Sequence, residues 1–534
     1  MRENTSATRR QLLQASALGT GGLFMGWPLH TLAQAARGGV VVIGTTQKPR
    51  HLNAAVQSGI ATMMPAAQLF ASPLRMDAQW KPQPYLAESF ELSSDNRSVR
   101  LVLRQGAVFH DGRPITAEDV KFSIETIRDH HPFRTMYGPV NAVTVDNERT
   151  AVVRLSEPHP ALLLAMSTSL TPIIPKHIFG DGTDPKVHPR NANPVGSGPF
   201  RLVEFKPGEH IIMERFDRFF LKDAPKLDRI IVRESKDPSS LLLAFERGEI
   251  DIHAQIGDPR DLERAKKVPG VQMVSGAGPA IGPLIWLAFN TKSPKLADKR
   301  VRQAISFALD RKLILGQLLG GLHKASTGPI ASGSPFYSAE VEKYEHNLAK
   351  AAKLLDDAGL KPGANGTRLS LDVDAIPSSA ELKTLQEYTK PALAKVGIEV
   401  NVRVSPDFPT WARRVSSGQF EMTIDSVWNW GDPVIGVHRT WLSSNIRPGV
   451  IWSNTQSYSN AKVDQLLADA GKEMNTVKRK ALYKEAQKII VDDCPVAFLY
   501  EAVNTEGYRS TVVQPPRGIW GLIDGQTDMG ARKA

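Results

Sequence analysis

The sequence predicts an α/β fold whose sheets are at least partly parallel. Short β-branched runs are typical of buried strands, amphipathic segments between them are typical of helices, and the strands of the C-terminal half each follow a helix. The composition agrees with this prediction. Of the 534 residues, 41% are hydrophobic and 23% are charged, which is ordinary for a globular protein and excludes a disordered, collagen-like or coiled-coil chain. We expect roughly three to four domain-sized units.

The first elements can be placed from their local patterns. A strand is predicted at 39–45, with the sequence GVVVIGT. Valine and leucine alternate with other residues through 99–103, which predicts a second strand with one stronger apolar face. Thr116 stands three residues before Asp119, so the pair forms a capping-box pattern at the start of a predicted helix.

The remaining elements follow the same two periodicities. Further strands are predicted at 200–205, 229–234, 283–290 and 398–404. Long helices are predicted at 299–319, 347–358, 380–395 and 477–491. Because Pro391 cannot donate a backbone hydrogen bond, the third of these helices should kink or split there. The glycine-rich VGSGPF at 195–200 is interpreted as a tight turn entering a strand, since a phosphate cradle would need a helix after the glycines.

Residues 1–35 have the layout of a signal peptide. Paired arginines at 9–10 precede an apolar run at 15–29 and a small-residue Ala-Gln-Ala site at 33–35. The arginine pair resembles a twin-arginine (Tat) signal. The apolar run has 15 residues, fewer than the ~20 that span a bilayer, so an uncleaved anchor is the less favoured alternative. We therefore expect a soluble, periplasmic mature chain that begins near residue 36.

Charge and cysteine content exclude several classes of protein. Lys+Arg 66 against Asp+Glu 55 gives a net charge of +11, but the basic residues are interspersed with acids and form no stripe of the kind that binds nucleic acid. A chaperone or nucleic-acid scavenger remains an alternative that would use this basic surface. The single cysteine, Cys494, excludes an intramolecular disulfide and cysteine-rich metal sites. Because apolar residues follow it, we interpret it as a buried structural thiol.

The sequence contains no pattern that indicates catalysis. H-E-x-x-H zinc spacing, a G-x-S-x-G elbow and a P-loop are all missing from the chain. We therefore predict no catalytic residue, no metal and no cofactor. A periplasmic hydrolase stays open as an alternative, but it would require a nucleophile–base pair that the sequence does not reveal.

One long motif resembles a known family. The stretch LRQGAVFHDGRPITAEDVKFS at 103–123 is similar to the most recognisable segment of the family 5 extracellular solute-binding proteins of ABC importers, which include dipeptide-, oligopeptide- and nickel-binding proteins. Four more stretches resemble the family in the same order, and together they span most of the mature chain. They lie at 195–200, 289–314, 349–360 and 463–500.

This resemblance implies a two-lobed periplasmic-binding-protein fold, type II-like, with an additional inserted domain and the ligand between the lobes. The implied parts are lobe I (36–56, 190–276 and 490–534), the inserted domain (57–189) and lobe II (277–489). The implied function is the substrate-binding component of an ABC transporter, not an enzyme. It would capture a short peptide or similar polar solute for transmembrane transport.

The resemblance also implies the partners. The protein would be a monomer that delivers its ligand to permease subunits with a separate ATPase, without nucleic acid. The same role for a sugar, an opine or a metal chelate is the alternative.

The candidate ligand-binding residues centre on DSVWNWGDP at 425–433. If the strand continued through this motif, Trp428 and Trp430 would share one face and could cover apolar or cationic ligand groups. The resemblance places ligand here. Asp432 before Pro433 is interpreted as a helix N-cap with proline at the first helical position.

Asn429 marks a departure from the family pattern. In the family's peptide binders an aspartate near this point pairs with the α-amine of the peptide, and our alignment places Asn429 there. Asp425 or Asp432 could supply the missing charge if the loop is shaped differently. Peptide specificity therefore stays open, although the binding-protein interpretation does not depend on it.

Weaker candidates lie nearby in sequence or at another strand end. Trp411 and His438 flank the tryptophan pair, and Gln47 lies in the loop after the first strand, where open α/β sheets often face ligands. Arg439 could bind a ligand carboxylate, but a solvated arginine on a helix face is the favoured interpretation. Trp286 is expected in the core.

Overall fold

The computed structural model describes residues 38–377, 379–516 and 518–531. The predicted signal peptide, 1–35, lies outside these residues. Across the described part of the chain, no helix combines the length and hydrophobicity needed to cross a membrane. Strands and helices alternate through most of its length, as the sequence predicts.

A seven-stranded mixed sheet forms the first lobe. The strand Val40–Thr45 lies near its centre and is parallel to Arg229–Glu234 on one side and to Ile252–His253 on the other. The remaining pairs are antiparallel. In spatial order the strands are Val271–Ser275, Thr505–Arg509, Ile252–His253, Val40–Thr45, Arg229–Glu234, His210–Arg215 and Phe200–Lys206.

A six-stranded mixed sheet forms the second lobe. The strand Met422–Trp428 pairs antiparallel with Pro283–Phe289 and parallel with Leu369–Ala375, so it lies in the middle of the sheet. Parallel pairing arises where a helix returns the chain to the same end of the sheet. In spatial order the strands are Lys324–Ala325, Val496–Glu501, Pro283–Phe289, Met422–Trp428, Leu369–Ala375 and Ile398–Val402.

An antiparallel four-stranded sheet lies in the segment 57–189, which we call the inserted segment. Its strands, in spatial order, are Ala87–Leu92, Ser98–Leu103, Thr150–Leu155 and Val140–Asn147. The helix Ala117–His130 packs against it, and the predicted capping box of Thr116 and Asp119 is present. One continuous cluster of buried side chains joins this segment to the seven-stranded sheet, whereas the second lobe has its own core.

Helices cover the sheets. In the first lobe and the inserted segment they are Ile60–Leu69, Ala117–His130, Leu162–Ala165, Lys176–Phe179, Pro238–Glu246 and Pro259–Ala265. In the second lobe they are Lys299–Ala308, Arg311–Leu313, Leu348–Asp357, Ala380–Ala394, Phe408–Ser416, Pro433–Gly436, His438–Trp441, Ala461–Lys472 and Thr476–Asp493. Two-stranded ribbons pair Leu74–Met76 with Pro82–Pro84 and Val512–Val513 with Gly530–Ala531. Single helical turns lie at Arg134–Tyr137, Pro189–Asn191, Ile314–Leu318, Ser443–Asn445 and Gly521–Ile523.

Three predictions for individual elements can be compared with the structure, and two of them need correction. The helix predicted at 299–319 ends at Ala308, because Asp310 caps a new turn by accepting a hydrogen bond from the Leu313 backbone N–H. The helix Ala380–Ala394 does not split at Pro391. The predicted start of the last lobe I segment at 490 is too early, since Val496–Glu501 pairs in the sheet of the second lobe.

Two short segments connect the sheets. Residues 276–282 run from the seven-stranded to the six-stranded sheet, and residues 502–504 return. Between these crossings the second lobe is one uninterrupted stretch of chain. Relative rotation of the lobes would therefore concentrate in two short connections, which is the usual requirement for hinge motion.

Candidate ligand-binding site

The motif at 425–433 begins in a sheet and ends in a helix. The strand Met422–Trp428 stops where Trp430 and Gly431 adopt left-handed backbone conformations, with φ of 50° and 81°. The loop is fastened to the first crossing: the Asn429 N–H donates to the Ile281 and Gly282 carbonyls at 3.1 Å, and Gly431 N–H donates to the Ala280 carbonyl at 2.6 Å. The motif is thus tied to a hinge connection.

The two tryptophans do not share a strand face. Trp428 is the last residue of the strand and half-buried, whereas Trp430 lies beyond it in the left-handed region, so the alternation rule no longer applies. Trp430 is buried in the core shared by the first lobe and the inserted segment, with its ring 5.2 Å from that of Phe133. Trp428 packs against the same core. Both indoles therefore lie where the second lobe meets the rest of the molecule.

Asn429 is engaged within the protein. Its Oδ1 accepts a hydrogen bond from the Ala331 N–H at 2.6 Å, and its Nδ2 donates to the Pro329 carbonyl at 3.3 Å. The side chain is buried. The amide therefore fixes the 329–331 loop, and its two polar atoms already have protein partners.

Asp432 forms a fully paired buried ion pair. Its carboxylate binds the Arg479 guanidinium in bidentate fashion at 2.7 Å for both contacts, and it caps the helix Pro433–Gly436 through the Val434 N–H. Burial works to raise the pKa of Asp432, but the Arg479 charge holds it below its usual value. The predicted capping role is present, and the carboxylate has little capacity left for a ligand ammonium.

Trp411 and His438 lie in the core of the second lobe. Trp411 is fully buried and donates from its indole N–H to the Thr423 hydroxyl at 3.1 Å. His438 Nε2 lies 3.0 Å from the Tyr483 hydroxyl, and burial lowers the pKa of this histidine to about 3. The structure thus gives both side chains packing partners, and Trp286 is buried as expected.

Gln47 is separate from this group. It follows the strand Val40–Thr45 of the first lobe, is half-buried, and donates its backbone N–H to the Thr45 hydroxyl at 3.0 Å. Its position at the carboxyl end of a central strand is the one that the sequence indicates.

Asp425 and Arg439 carry opposite charges but do not contact each other directly. The buried Asp425 accepts hydrogen bonds at Oδ1 from the Ser426 N–H at 2.6 Å and the Trp452 indole at 3.2 Å. Burial raises the pKa of Asp425 to about 7. Arg439 lowers the pKa of Asp425 through its charge, but the two groups make no ion pair within 4.0 Å in the described structure.

Arg439 is not the solvated helix-face residue that the sequence favours. It is partly buried, with its guanidinium 5.1 Å from the centre of the Phe133 ring of the inserted segment. Burial lowers the pKa of Arg439 to about 10, and Asp425 opposes this effect. Sequence reasoning also missed Phe133 and Trp452, because both contact these residues from outside the motif and carry no local pattern of their own.

The residues gathered around the motif are polar and aromatic. The described residues contain no cluster of three or more histidine, cysteine, aspartate or glutamate side chains that could hold a metal. Aromatic rings and opposite charges at a lobe boundary are suited to holding a polar solute.

Comparison with known proteins identifies the family. The model of the bacterial extracellular solute-binding proteins, family 5, matches residues 81–449. The chain belongs to this family.

This solute-binding protein is similar over nearly its whole length to characterised members. It is 26% identical over 520 residues to the oligopeptide-binding protein AppA of Bacillus subtilis, covering 91% of each chain. It is 27% identical over 477 residues to the glutathione-binding protein GsiB of Salmonella typhi, covering 87% of this chain and 88% of the relative. The solved structure of the ABC transporter substrate-binding protein CtaP of Listeria monocytogenes aligns with a TM-score of 0.79 and 25% identity, covering 92% and 99%. The expected two-lobed α/β fold is confirmed.

Proposed function

We propose that this protein is the periplasmic substrate-binding component of an ABC importer that captures a short peptide or a similarly sized polar solute. It acts as a monomer without enzymatic activity and passes the solute to permease subunits whose ATPase is a separate chain. Residues 1–35 direct export by the Tat route and are removed. Support comes from family membership and from relatives named for oligopeptide and glutathione binding.

The observation that carries this proposal is the position of the motif at 425–433. It joins the second lobe to the first crossing through Asn429 and Gly431, and it contacts the inserted segment through Trp430. A solute held beside it would touch both sides of the boundary at once. Binding there would favour the closed arrangement of the lobes, which is how a ligand shifts a pre-existing equilibrium.

The energies are compatible with such closure. A micromolar ligand supplies about 8 kcal/mol of binding free energy. Moving a two-state equilibrium from 1:99 to 99:1 requires about 5.5 kcal/mol of differential binding. Closure thus needs only part of an ordinary ligand's affinity, and the permease would recognise the closed shape.

We retain the domain division as part of the proposal, with one boundary moved. Lobe I comprises 36–56, 190–276 and 502–534, the inserted domain comprises 57–189, and lobe II comprises 277–501. The ligand site lies between lobe II and the other two parts.

Thermal-shift screening of the purified protein tests the proposed function. The screen would contain di-, tri- and oligopeptides, sugars, opines and nickel chelates, because a ligand that binds only the native state raises the melting temperature. We expect at least one peptide class to give a saturable shift and to be recovered unaltered by mass spectrometry. Recovery of a hydrolysed product would contradict a pure binding role.

A non-peptide ligand is the second candidate, and one observation favours it. Asn429 is neutral, and both polar atoms of its side chain have protein partners. An amine-recognising aspartate is thus missing from the position that our alignment assigns to it. A sugar, an opine or a metal chelate that shifts the melting temperature where every peptide fails would select this alternative.

A further inference from the structure

A loop of the second lobe contacts both the first lobe and the second crossing. We call residues 319–323 the bridging loop. Gly320 has a left-handed backbone, with φ of 59°, and a Cβ placed on it would lie 2.3 Å from Cγ of Pro259 in the first lobe. Leu322 packs against a small hydrophobic cluster of the first lobe that includes Leu262. The lobes therefore meet at the bridging loop as well as at the motif 425–433.

His323 fastens the bridging loop to the second crossing. Its Nδ1 accepts a hydrogen bond at 3.3 Å from the backbone N–H of Val503, the middle residue of 502–504. Its Nε2 donates to the Glu381 carboxylate at 2.8 Å. The ring is stacked on that of Tyr500, with the centroids 5.0 Å apart and the planes inclined by 9°. Because a backbone N–H can only donate, these contacts require the neutral imidazole with its proton on Nε2.

Protonation of His323 is incompatible with its contact to the crossing. An imidazolium donates from both ring nitrogens, so its Nδ1–H would face the N–H of Val503, and neither group would have an acceptor there. Histidine is the side chain whose charge ordinarily changes between about pH 5 and 8. The hydrogen bond to Val503 is therefore present when the ring is neutral and is lost on acidification.

The charged and titratable groups around His323 leave its other contact in place. They are Glu381 of the helix Ala380–Ala394, Tyr500 and Glu501 of the neighbouring strand, Lys324 of the edge strand, and Glu263 and Lys266 across the lobe boundary. Glu263 and Lys266 pair with each other at 2.7 Å. Burial raises the pKa of Tyr500, and the Glu381 charge raises it further, so this phenol stays neutral. Glu381 accepts from Nε2 in both forms of the ring, so protonation breaks only the bond to Val503.

We propose that the bridging loop is a pH-sensitive latch between the lobes, which is closed when His323 is neutral and released when His323 is protonated. A cavity of about 270 Å³ between the loop and the helix Pro259–Ala265 gives the loop room to move. The motif at 425–433 contacts the inserted segment in the same arrangement of the lobes. Release of the latch therefore disfavours the arrangement that holds the solute, a consequence that rests on the proposed function.

Hydrogen exchange followed by mass spectrometry tests the latch on the purified protein without any solute. After correction for the intrinsic effect of pH on exchange, we expect the peptide that contains Val503 to exchange about 2- to 10-fold faster at pH 5.5 than at pH 7.5, the factor expected for one hydrogen bond. His323→Asn keeps an acceptor near the position of Nδ1 but cannot be protonated, so this difference should disappear. His346→Asn is the matched control, since His346 is exposed and also faces an acid, Asp310, at 3.7 Å.

Two glycine variants test the contact between the lobes. Gly320→Ala places a methyl group against Pro259, which should displace the loop and speed exchange at Val503 even at pH 7.5. Gly321→Ala is the control, because Gly321 also has a left-handed backbone, with φ of 75°, but no atom lies within 4 Å of the added carbon. Thermal unfolding of every variant establishes that each one folds.

Calorimetry with the solute that gives the largest thermal shift then tests the effect on binding. The wild type should bind that solute about 2- to 10-fold more weakly at pH 5.5 than at pH 7.5, and His323→Asn should bind it equally at both. If the wild type and His323→Asn show the same pH dependence of exchange at Val503, the latch is wrong. The expected exchange pattern together with binding of no compound from any class would support the latch and overturn the proposed function.

Discussion

Two arginines of the second lobe, Arg479 and Arg439, lie beside aromatic rings and differ in every other contact. Arg479 binds Asp432 with both terminal nitrogens, donates from Nε to the Ala470 carbonyl at 2.8 Å, and lies 4.7 Å from the Phe336 ring. Arg439 lies 5.1 Å from its ring, and among the described residues its buried Nε has no hydrogen-bond partner. The Arg479 guanidinium is hydrogen-bonded through all three of its nitrogens, whereas that of Arg439 carries a buried N–H without a partner among the described residues.

The contrast separates charges that stabilise the fold from charges that the fold leaves partly unsatisfied. A buried ion pair in which every donor has an acceptor holds the fold together, and its removal leaves a partner unpaired. A buried donor without an acceptor costs stability instead of adding to it, so the charged group that carries it does not hold the fold together in the same way. The same distinction applies to two aspartates only seven positions apart: Asp432 is paired with a buried arginine, whereas Asp425 has no cation in direct contact among the described residues.

The largest effect is expected from breaking the complete pair. Arg479→Met should lower the free energy of unfolding by about 3–5 kcal/mol, because it leaves the buried Asp432 carboxylate without its cation. Urea denaturation followed by circular dichroism measures this loss. Arg439→Met is the comparison and should leave stability unchanged or slightly raised. Equal losses in both variants would contradict the distinction between the two arginines.

The next effect concerns pH. Burial raises the pKa of Asp425 to about 7, well above its value near 4 in the unfolded chain, so the folded state binds more protons between these values. The stabilisation from this group is complete below pH 4 and is lost as the pH rises through 7. Each pKa unit is worth about 1.4 kcal/mol, so Asp425→Asn should flatten the pH dependence by a few kcal/mol.

A comparison variant separates this contribution from those of other buried carboxyls. Burial also raises the pKa of Glu506 to about 7, and this residue lies in the strand Thr505–Arg509 just after the second crossing, where it accepts a hydrogen bond from the Tyr508 hydroxyl. Urea denaturation at pH values from 4 to 8 gives the free energy of unfolding as a function of pH. Asp425→Asn and Glu506→Gln should each remove a separate part of this pH dependence. If Asp425→Asn has the same dependence of unfolding free energy on pH as the wild type, Asp425 is not a buried group that titrates in this range.

Replacing Asn429 by aspartate should destabilise the loop 329–331 and should not create a site that binds the amine of a ligand. In Asn429→Asp the Pro329 carbonyl loses its donor and faces a carboxylate oxygen, which we expect to cost about 1–3 kcal/mol of unfolding free energy. Asn193→Asp, on an exposed residue, is the control. Chemical denaturation and calorimetry with a tripeptide measure both effects. A more than tenfold gain in peptide affinity without loss of stability would refute the structural role of Asn429.

The smallest effect is expected from an exposed ion pair between the second lobe and the inserted segment. Lys472 of the second lobe contacts Glu157 of the inserted segment at 2.7 Å, and both side chains are more than a third exposed. Lys472→Met should therefore change stability and ligand affinity by less than about 1 kcal/mol. Lys478→Met supplies an exposed lysine control on the helix Thr476–Asp493. A larger loss would mean that this surface ion pair contributes more to joining the second lobe to the inserted segment than its exposure predicts.

The sequence predicted correctly the features that depend only on neighbouring residues. The capping box at Thr116, the cap at Asp432 and the buried thiol of Cys494 all appear as expected, and burial raises the pKa of that thiol to about 11. The partly parallel sheets also follow from the alternation of helices and strands.

The site could be predicted only in outline, because its contacts join distant residues. The ring beside Arg439 belongs to Phe133, and the partners of Asn429 lie in the loop 329–331, so no window of sequence contains either contact. The end of the strand before Trp430 could not be predicted for a different reason. Period-two alternation assumes that a strand continues, and the left-handed backbone of Trp430 ends it.

The most direct test is a crystal structure of the protein with the solute that gives the largest thermal shift. We expect electron density for that solute beside the motif at 425–433, in contact with the second lobe and with the inserted segment. Density for the solute elsewhere in the molecule would contradict the proposed site.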